Sequence, residues 1–430
     1  MDLDAASDAG FGPVNRDGAP ARSLWRHGDF VKLWVGQTVS LGGSLIGRFS
    51  IPLVAVLTLQ AGPADVALLR LAGLVPGVVV ALLAGAWVDR LRRRPLMIWT
   101  DVGRALLFAT IPAAALFGVL GIEQLVLVLL ATGTLTTLFD VAYRSYLPTL
   151  LRRDQLVEGN SKLQASSAVV EVASFGGAGW LVQLVTAPIA ILVDALSFLV
   201  SALALWRIRT PEPPPTPVEE RRGARAAIRE GLRFVAGHPL LRPLTAAAGL
   251  STLFAHMWVS MLTLFLARDL AIEPGLLGML YAIGGVTALL GASVADRVIA
   301  RFGPGPTLVG CLLLSNLSLL FVPMAAGPLL VILLFVGAQQ LFDAPAVVYE
   351  IGEASVIQAT APHHLLGRVV ASHGFVSSGA MLAGTALGGV LGELIGARGA
   401  MIIGGVGSVL AVAVLAASPV RSLRAMPTPP

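Results

Sequence analysis

The sequence predicts an all-α membrane protein with twelve transmembrane helices in two six-helix halves. Three features point to it. The 430 residues are 56% hydrophobic and only 13% charged, with mean hydropathy +0.81, whereas a soluble protein carries roughly a quarter charged residues. The apolar residues fall in long runs; a span needs about 20 of them, and about twelve such runs fit the length. Two short patterns also recur. Asp89-Arg90 returns as Asp296-Arg297, 207 residues on, and Leu138-Phe139-Asp140 returns as Leu341-Phe342-Asp343, 203 residues on. A duplicated half gives such offsets.

In chain order, residues 1–26 read as a polar tail and 27–207 as the first half. Span 1 (Phe30–Leu59) carries Arg48, and span 2 (Val66–Val88) carries Pro76. Span 3 (Leu96–Leu120) carries Asp101 and Arg104, span 4 (about Gln124–Leu150) Asp140 and Arg144, span 5 (about Lys162–Val185) Glu171, and span 6 (about Pro188–Trp206) Asp194. Residues 208–242 form a linker with a proline-rich start. Glu219–Val235 follows as an amphipathic helix, with Ala224, Ala227, Ile228, Leu232 and Val235 on one face and five arginines on the other. That pattern suits a helix lying on an anionic lipid surface. Residues 243–418 repeat the six-span plan, with His256 in span 7, Asp343 in span 10 (about Leu329–Glu350) and a short tail at 419–430. Asp296 and Arg297 are expected in the loop closing span 8 (Leu276–Ala295).

The basic residues set the topology. Most of the 30 Lys and Arg lie in or beside the loops on one side, and only Arg268 and Arg398 lie in loops on the other. The positive-inside rule then puts both termini in the cytoplasm. A pI near 10.0 could suggest nucleic acid, but the basic residues recur between spans and form no single patch. The bilayer, and not nucleic acid, is therefore the partner that the basic residues predict, and the chain is expected to act as a monomer. The sequence shows no P-loop, metal-ligand cluster or nucleophile–base pair, so neither an enzyme, a resident metal nor a cofactor is expected.

The most informative stretch is the loop after span 2, where Asp89 stands among Arg90, Arg92, Arg93 and Arg94. A carboxylate there can accept from arginines and from a helix N-terminus, as a gate requires. Energy coupling needs a group that can be charged or neutral inside the membrane. A carboxylate can be both, whereas arginine stays charged. Glu171, Asp140, Asp194 and Asp343 are the candidates. Asp140 and Arg144, four apart on one helix face, are expected to form a conformational switch, and Glu171, with no close sequence partner, to carry the proton. Arg48 is expected to pair with Glu171 or Asp140, or to bind an anionic substrate group. Gly176, Gly177 and Gly179 in span 5, and Gly384, Gly388, Gly392 and Gly396 in span 11, are expected to bring helices close together.

Gly85, Asp89, Arg90, Arg93 and Arg94 match Gly-x-x-x-Asp-Arg-x-x-Arg-Arg, and the stretch resembles the signature loop of the major facilitator superfamily. With Leu33–Ser40, Leu138–Asp140, Leu147-Pro148 and Asp194–Phe198, the chain is similar to the drug–proton antiporter branch that includes macrolide-efflux and enterobactin-exporter-like proteins. The resemblance covers about residues 27–418. It implies a major facilitator fold in the cytoplasmic membrane and proton-coupled efflux of small amphipathic molecules, as in multidrug resistance. Phe175–Gly179 is a loose version of the antiporter span-5 motif, without its proline. The alternatives are an importer or facilitator of a small metabolite, or a non-transporting sensor on the same fold.

Overall fold

The computed structural model describes residues 24–88, 91–212 and 224–427. Asp89, Arg90 and the expected first residues of the linker helix lie outside them. The first half comprises α1 (Gly28–Leu53), α2 (Pro63–Val88), α3 (Arg93–Leu116), α4 (Ile122–Leu150), α5 (Leu156–Val185) and α6 (Ala187–Trp206). The linker contributes α7 (Ala224–Gly237). The second half comprises α8 (Leu241–Leu264), α9 (Pro274–Phe302), α10 (Pro304–Ser318), α11 (Phe321–Met324), α12 (Leu329–Leu341), α13 (Asp343–Thr360) and α14 (Leu366–Ala416).

Among the described residues, 11 helical stretches are long and apolar enough to cross a membrane. The last of them is two crossings. Straight, its 51 residues would reach about 75 Å, more than twice the hydrocarbon thickness. The helix reverses at Gly396, whose φ of 79° and ψ of 160° are not helical. The reversal shows in the packing. Gly384 lies against the backbone of Leu253, and Gly404 against that of Phe254, so two residues twenty apart meet one turn of α8. Gly396, expected as a packing glycine, is instead this turn, in a left-handed conformation that glycine adopts without strain.

The duplication is visible in the backbone. α1 and α8 both end in a widened turn, Val54–Thr58 and Phe265–Asp269, closed by Leu59 N–H to Val54 O (3.0 Å) and Leu270 N–H to Phe265 O (2.9 Å). Each is followed by a residue of positive φ, Gln60 at 54° and Ala271 at 49°, 211 residues apart. Thr186 (82°) and Gly396 (79°) occupy equivalent links between the last two spans of each half.

Two expectations are corrected here. Asp296 and Arg297 are not in a loop: α9 continues through both to Phe302, and only Gly303 separates it from α10. The apolar run ends before the helix does. The linker helix also docks on protein. Gly231 leaves no room for a Cβ against Arg368 O and Ser372 Oγ of α14, Ser372 Oγ donates to Ile228 O (3.1 Å), Arg368 pairs with Glu230, and Val235 is buried. The face assigned to lipid meets α14.

The Arg-rich end of the first half is tied down by caps. The Arg94 guanidinium donates to Leu205 O (2.9 Å) and Trp206 O (2.6 Å), satisfying the C-terminal carbonyls of α6. Glu212 accepts from the backbone N–H groups of Arg93 (2.6 Å) and Arg94 (3.2 Å), capping α3. Asp29 accepts from Arg209 N–H (3.0 Å) and Thr210 N–H (2.9 Å). Residues 209–212 therefore belong physically to the first half.

Candidate functional site: a two-sided polar interior

The two halves are joined at one end. Among the described residues, the hydrogen bonds between them are Arg268 Nη2 to Val56 O (3.3 Å), Ala64 N–H to Glu393 Oε1 (3.0 Å), Gln183 Nε2 to Glu273 Oε2 (3.0 Å) and Gly275 N–H to Gln183 Oε1 (3.0 Å). All lie at the ends of α1, α5, α8 and the first limb of α14, or the starts of α2 and α9, away from the Arg-rich loop. Beside them Gly179 packs so closely on the backbone of Pro274 and Gly278 that a Cβ would not fit, and Gly389 and Gly392 face Ala67 and Pro63. Gly176 faces Ala282, and nothing stands against Gly177. Gly384 and Gly388 pack on α8 within the second half. Of the expected packing glycines, Gly176, Gly179 and Gly392 lie between the halves and Gly384 and Gly388 within one half, while Gly177 and Gly396 pack against nothing; Gly278 and Gly389 join the seal.

Away from the seal, charged side chains on the spanning helices are exposed. A bare charge in hydrocarbon is costly, so such residues face a water-filled space or a partner. Glu171 stands on the face of α5 that carries buried Ala178 and Val182, seven and eleven residues on. Val169, Trp180 and Leu184, each at least half exposed, occupy the opposite, lipid-directed face. Glu171 therefore points inward, towards the space between the halves. Asp140 and Arg48 are likewise exposed, and Asp140 lies within electrostatic reach of Arg104, Arg144 and Arg48. Neither the Asp140–Arg144 nor the Arg48 ion pair expected from spacing is present within 4 Å among the described residues. Shared spacing puts two residues on one face but does not fix their rotamers.

The first half instead buries a different pair. Arg104 (4% exposed) and Asp101 (0%) of α3 form an ion pair. The Arg104 guanidinium lies between the rings of Phe198 (4.2 Å) and Phe139 (4.5 Å) and reaches Thr136 Oγ1 at 3.4 Å. Asp194 is buried nearby on α6, where Gly43 and Gly47 of α1 make room for Ser197 and for its own carboxylate, which accepts from Ser44 Oγ at 3.4 Å. The i,i+3 spacing of Asp101 and Arg104 was available as a signal.

The second half holds a cavity of about 290 Å³ between α8, α10, α12, α13 and α14. The span containing Asp343 is broken at Phe342 (φ −88°, ψ 6°), so Asp343 opens α13 instead of continuing α12. Such breaks mark polar sites in transporters, because freed backbone is tolerated where it lines a cavity. Asp343, Glu350 and Glu353 share one face of α13 and all line the cavity. Glu353 accepts from Tyr349 Oη (3.1 Å) and lies 3.7 Å from His373 Nε2, whose Nδ1 is 3.2 Å from Thr245 Oγ1. His256 also lines the cavity, and its Nδ1 has no hydrogen-bond partner among the described residues. Glu350 and Glu353 escaped the sequence reading because the apolar run ends at Glu350.

The comparisons with known proteins agree with this geometry. Residues 20–429 match the family described as transmembrane secretion effector, MFS_3. The multidrug efflux pump Tap of Mycolicibacterium fortuitum is 31% identical over 345 residues, 77% of this chain and 81% of that one. Macrolide efflux protein A of Streptococcus pyogenes is 26% identical over 184 residues, 43% and 45% of the two chains. Among solved structures, a bacterial homologue of the iron transporter ferroportin in its inward-facing state superposes with TM-score 0.75 at 17% identity, covering 92% of this chain and 99% of that one. The outward-facing state gives 0.55 at 16% identity, with 90% and 98% covered. The twelve crossings, the duplicated backbone and a match across nearly the whole sequence lead to one assignment: the chain belongs to the transmembrane secretion effector family of major facilitator membrane transporters, which are not enzymes.

Proposed function

We propose that the protein exports small amphipathic molecules across the cytoplasmic membrane in exchange for protons, by alternating access, with both termini in the cytoplasm. The observation that carries this reading is the one-ended seal: the halves meet away from the Arg-rich loop, and ionisable groups stand exposed between them on the other side. With the Arg-rich loop cytoplasmic by the positive-inside rule, the conformation is inward-open, ready to load from the cell interior. Similarity to efflux pumps supports export over import.

Glu171 is the proposed proton carrier, because it faces the interior without an ion-pair partner among the described residues. Asp140, set among three arginines, responds to the position of α1, α3 and α4. Asp89 is the proposed inner lock of the opposite state. The test is transport in proteoliposomes with and without a pH gradient. Uphill movement of substrate should require the gradient. Glu171→Gln should abolish it while downhill exchange survives. Gradient-independent accumulation, or an unaffected Glu171→Gln variant, overturns the coupling assignment.

A further inference from the structure

The geometry points to a binding site for an organic anion at the closed end of the space between the halves: a carboxylate-like group on an aromatic body, held by Arg70 of α2. This rests on the export reading only in calling that anion a substrate.

The position of Arg70 follows from the face it shares. Pro63, Ala67 and Arg70 are spaced by four and then three residues, so they lie on one side of α2. Pro63 and Ala67 meet Gly392 and Gly389 of the second half. Arg70 therefore stands about one turn deeper on the same face, directly under the seal. Tyr281 of α9 reaches that level from the other half. It lies one turn beyond Gly278 of the seal, and its ring meets those of Phe49 (5.9 Å) and Phe175 (6.0 Å) edge-on. Arg48 of α1, His256 of α8 and Tyr281 all lie within electrostatic reach of Arg70, so both halves contribute to the site.

Arg70 has no counter-charge. Among the described residues no carboxylate lies within 4 Å of it, and none of the three groups in its electrostatic reach is a carboxylate. Arg48, by contrast, has Asp140 and Asp194 within reach, and Arg104 is paired with Asp101. The Nε of Arg70 is buried and makes no hydrogen bond among the described residues, while the side chain as a whole is only half-buried. A second observation comes from the opposite half: His256 Nδ1 is also buried without a partner among the described residues. An unpaired cation inside a membrane protein is costly, as is a buried polar group without a hydrogen bond. An anion that reaches Arg70 supplies the missing counter-charge, and its oxygens can accept from the guanidinium and, in the Nδ1–H tautomer, from His256.

The chemical class follows from these groups. The planar fork of a guanidinium matches two oxygens of a carboxylate, phosphate or sulfonate. The half-buried rings of Phe175 and Tyr281 give a flat apolar wall on which an aromatic body can pack. A cationic or neutral ring would leave Arg70 unpaired, and a bare inorganic anion would leave the wall uncovered.

The test is equilibrium binding to the full chain in nanodiscs of zwitterionic lipid, with three probes of nearly one shape: 4-biphenylcarboxylate, neutral 4-biphenylcarboxamide and cationic N-methyl-4-phenylpyridinium. The carboxylate should bind saturably and at least tenfold tighter than the other two. Arg70→Gln should bring it down to the level of the carboxamide, and Arg153→Gln, in the exposed link between α4 and α5, should change nothing. Replacing part of the lipid by phosphatidylglycerol should not displace the carboxylate. Equal affinity for all three probes, or full carboxylate affinity in a folded Arg70→Gln protein, overturns the assignment. Displacement by phosphatidylglycerol also overturns it, because the occupant is then a lipid headgroup. If Arg70→Gln fails to fold, the probe series on the unaltered protein decides alone. Binding requires no turnover, so an anion that binds but is never exported counts against the export reading and leaves the site standing.

Discussion

The two halves share one backbone plan, down to the residues of positive φ that end α1 and α8, yet they handle charge differently. The first half buries an ion pair: Arg104 is paired with Asp101 and held between two rings, while Asp194 accepts from Ser44 and Arg70 keeps a buried Nε without a partner among the described residues. The second half lines a cavity with Asp343, Glu350 and Glu353, of which only Glu353 has an ion-pair partner within 4 Å among the described residues, His373. Duplication copied the scaffold, and the polar residues then diverged. Removing one partner of a buried pair is costly, whereas a carboxylate that lines a cavity tolerates replacement more readily.

The largest effect should come from breaking the buried pair. Arg104→Leu leaves Asp101 alone in a dry site, which costs about 3–5 kcal/mol. Thermal unfolding in detergent should show a large fall in Tm, while Glu350→Gln keeps the unaltered value. Equal losses in the two variants would erase the contrast between the halves. Next is the seal, where both sides contribute alike. Gly179→Leu drives a side chain into the Gly278 backbone, a strain of about 1–3 kcal/mol. Labelling of a Gln183→Cys reporter by a membrane-impermeant maleimide should rise as that end opens.

A smaller effect is expected at α7. Gly231→Val removes the close approach to Arg368 and Ser372, so amide hydrogen exchange within 228–237 should speed up without loss of Tm. The protein-docked reading of α7 fails if that exchange is unchanged. The smallest concerns His238, outside the spans. Its Nδ1 accepts from Leu240 N–H (3.2 Å) and Leu241 N–H (3.4 Å), and burial holds its pKa below the ordinary value. The unfolded chain therefore binds the proton first, so this stability is present above about pH 6.5 and is lost as pH falls through the folded pKa. His238→Asn should flatten that part of the Tm–pH curve.

The spans, the duplication and the interior carboxylates were legible because hydrophobic length and arginine placement are strong signals in lipid. What was not legible is where an apolar run and a helix part company. Asp296 lies inside α9 because charged residues at a membrane surface do not stop a helix; Gly303 does. Gly396 resembled its three predecessors in spacing, and only its backbone angles separate a turn from a contact. The i,i+4 spacing of Asp140 and Arg144 predicts a pair that the fold does not form, while the i,i+3 spacing of Asp101 and Arg104 marks the pair that it does. What separates them is rotamer and surroundings, two rings in one case and open space in the other. Glu350 and Glu353 lay beyond the hydropathy edge of a span that the fold extends to Thr360.

The seal between the halves sets an energy scale for the whole cycle. Its four hydrogen bonds, at about 1 kcal/mol each, give a threshold of a few kcal/mol. Reversing a two-state population from 1:99 to 99:1 takes about 5.5 kcal/mol of differential binding. The hydrogen-bonded part of the seal is thus of the same order as the differential binding that a ligand can supply. Strengthening the seal would give a more stable protein and a slower machine.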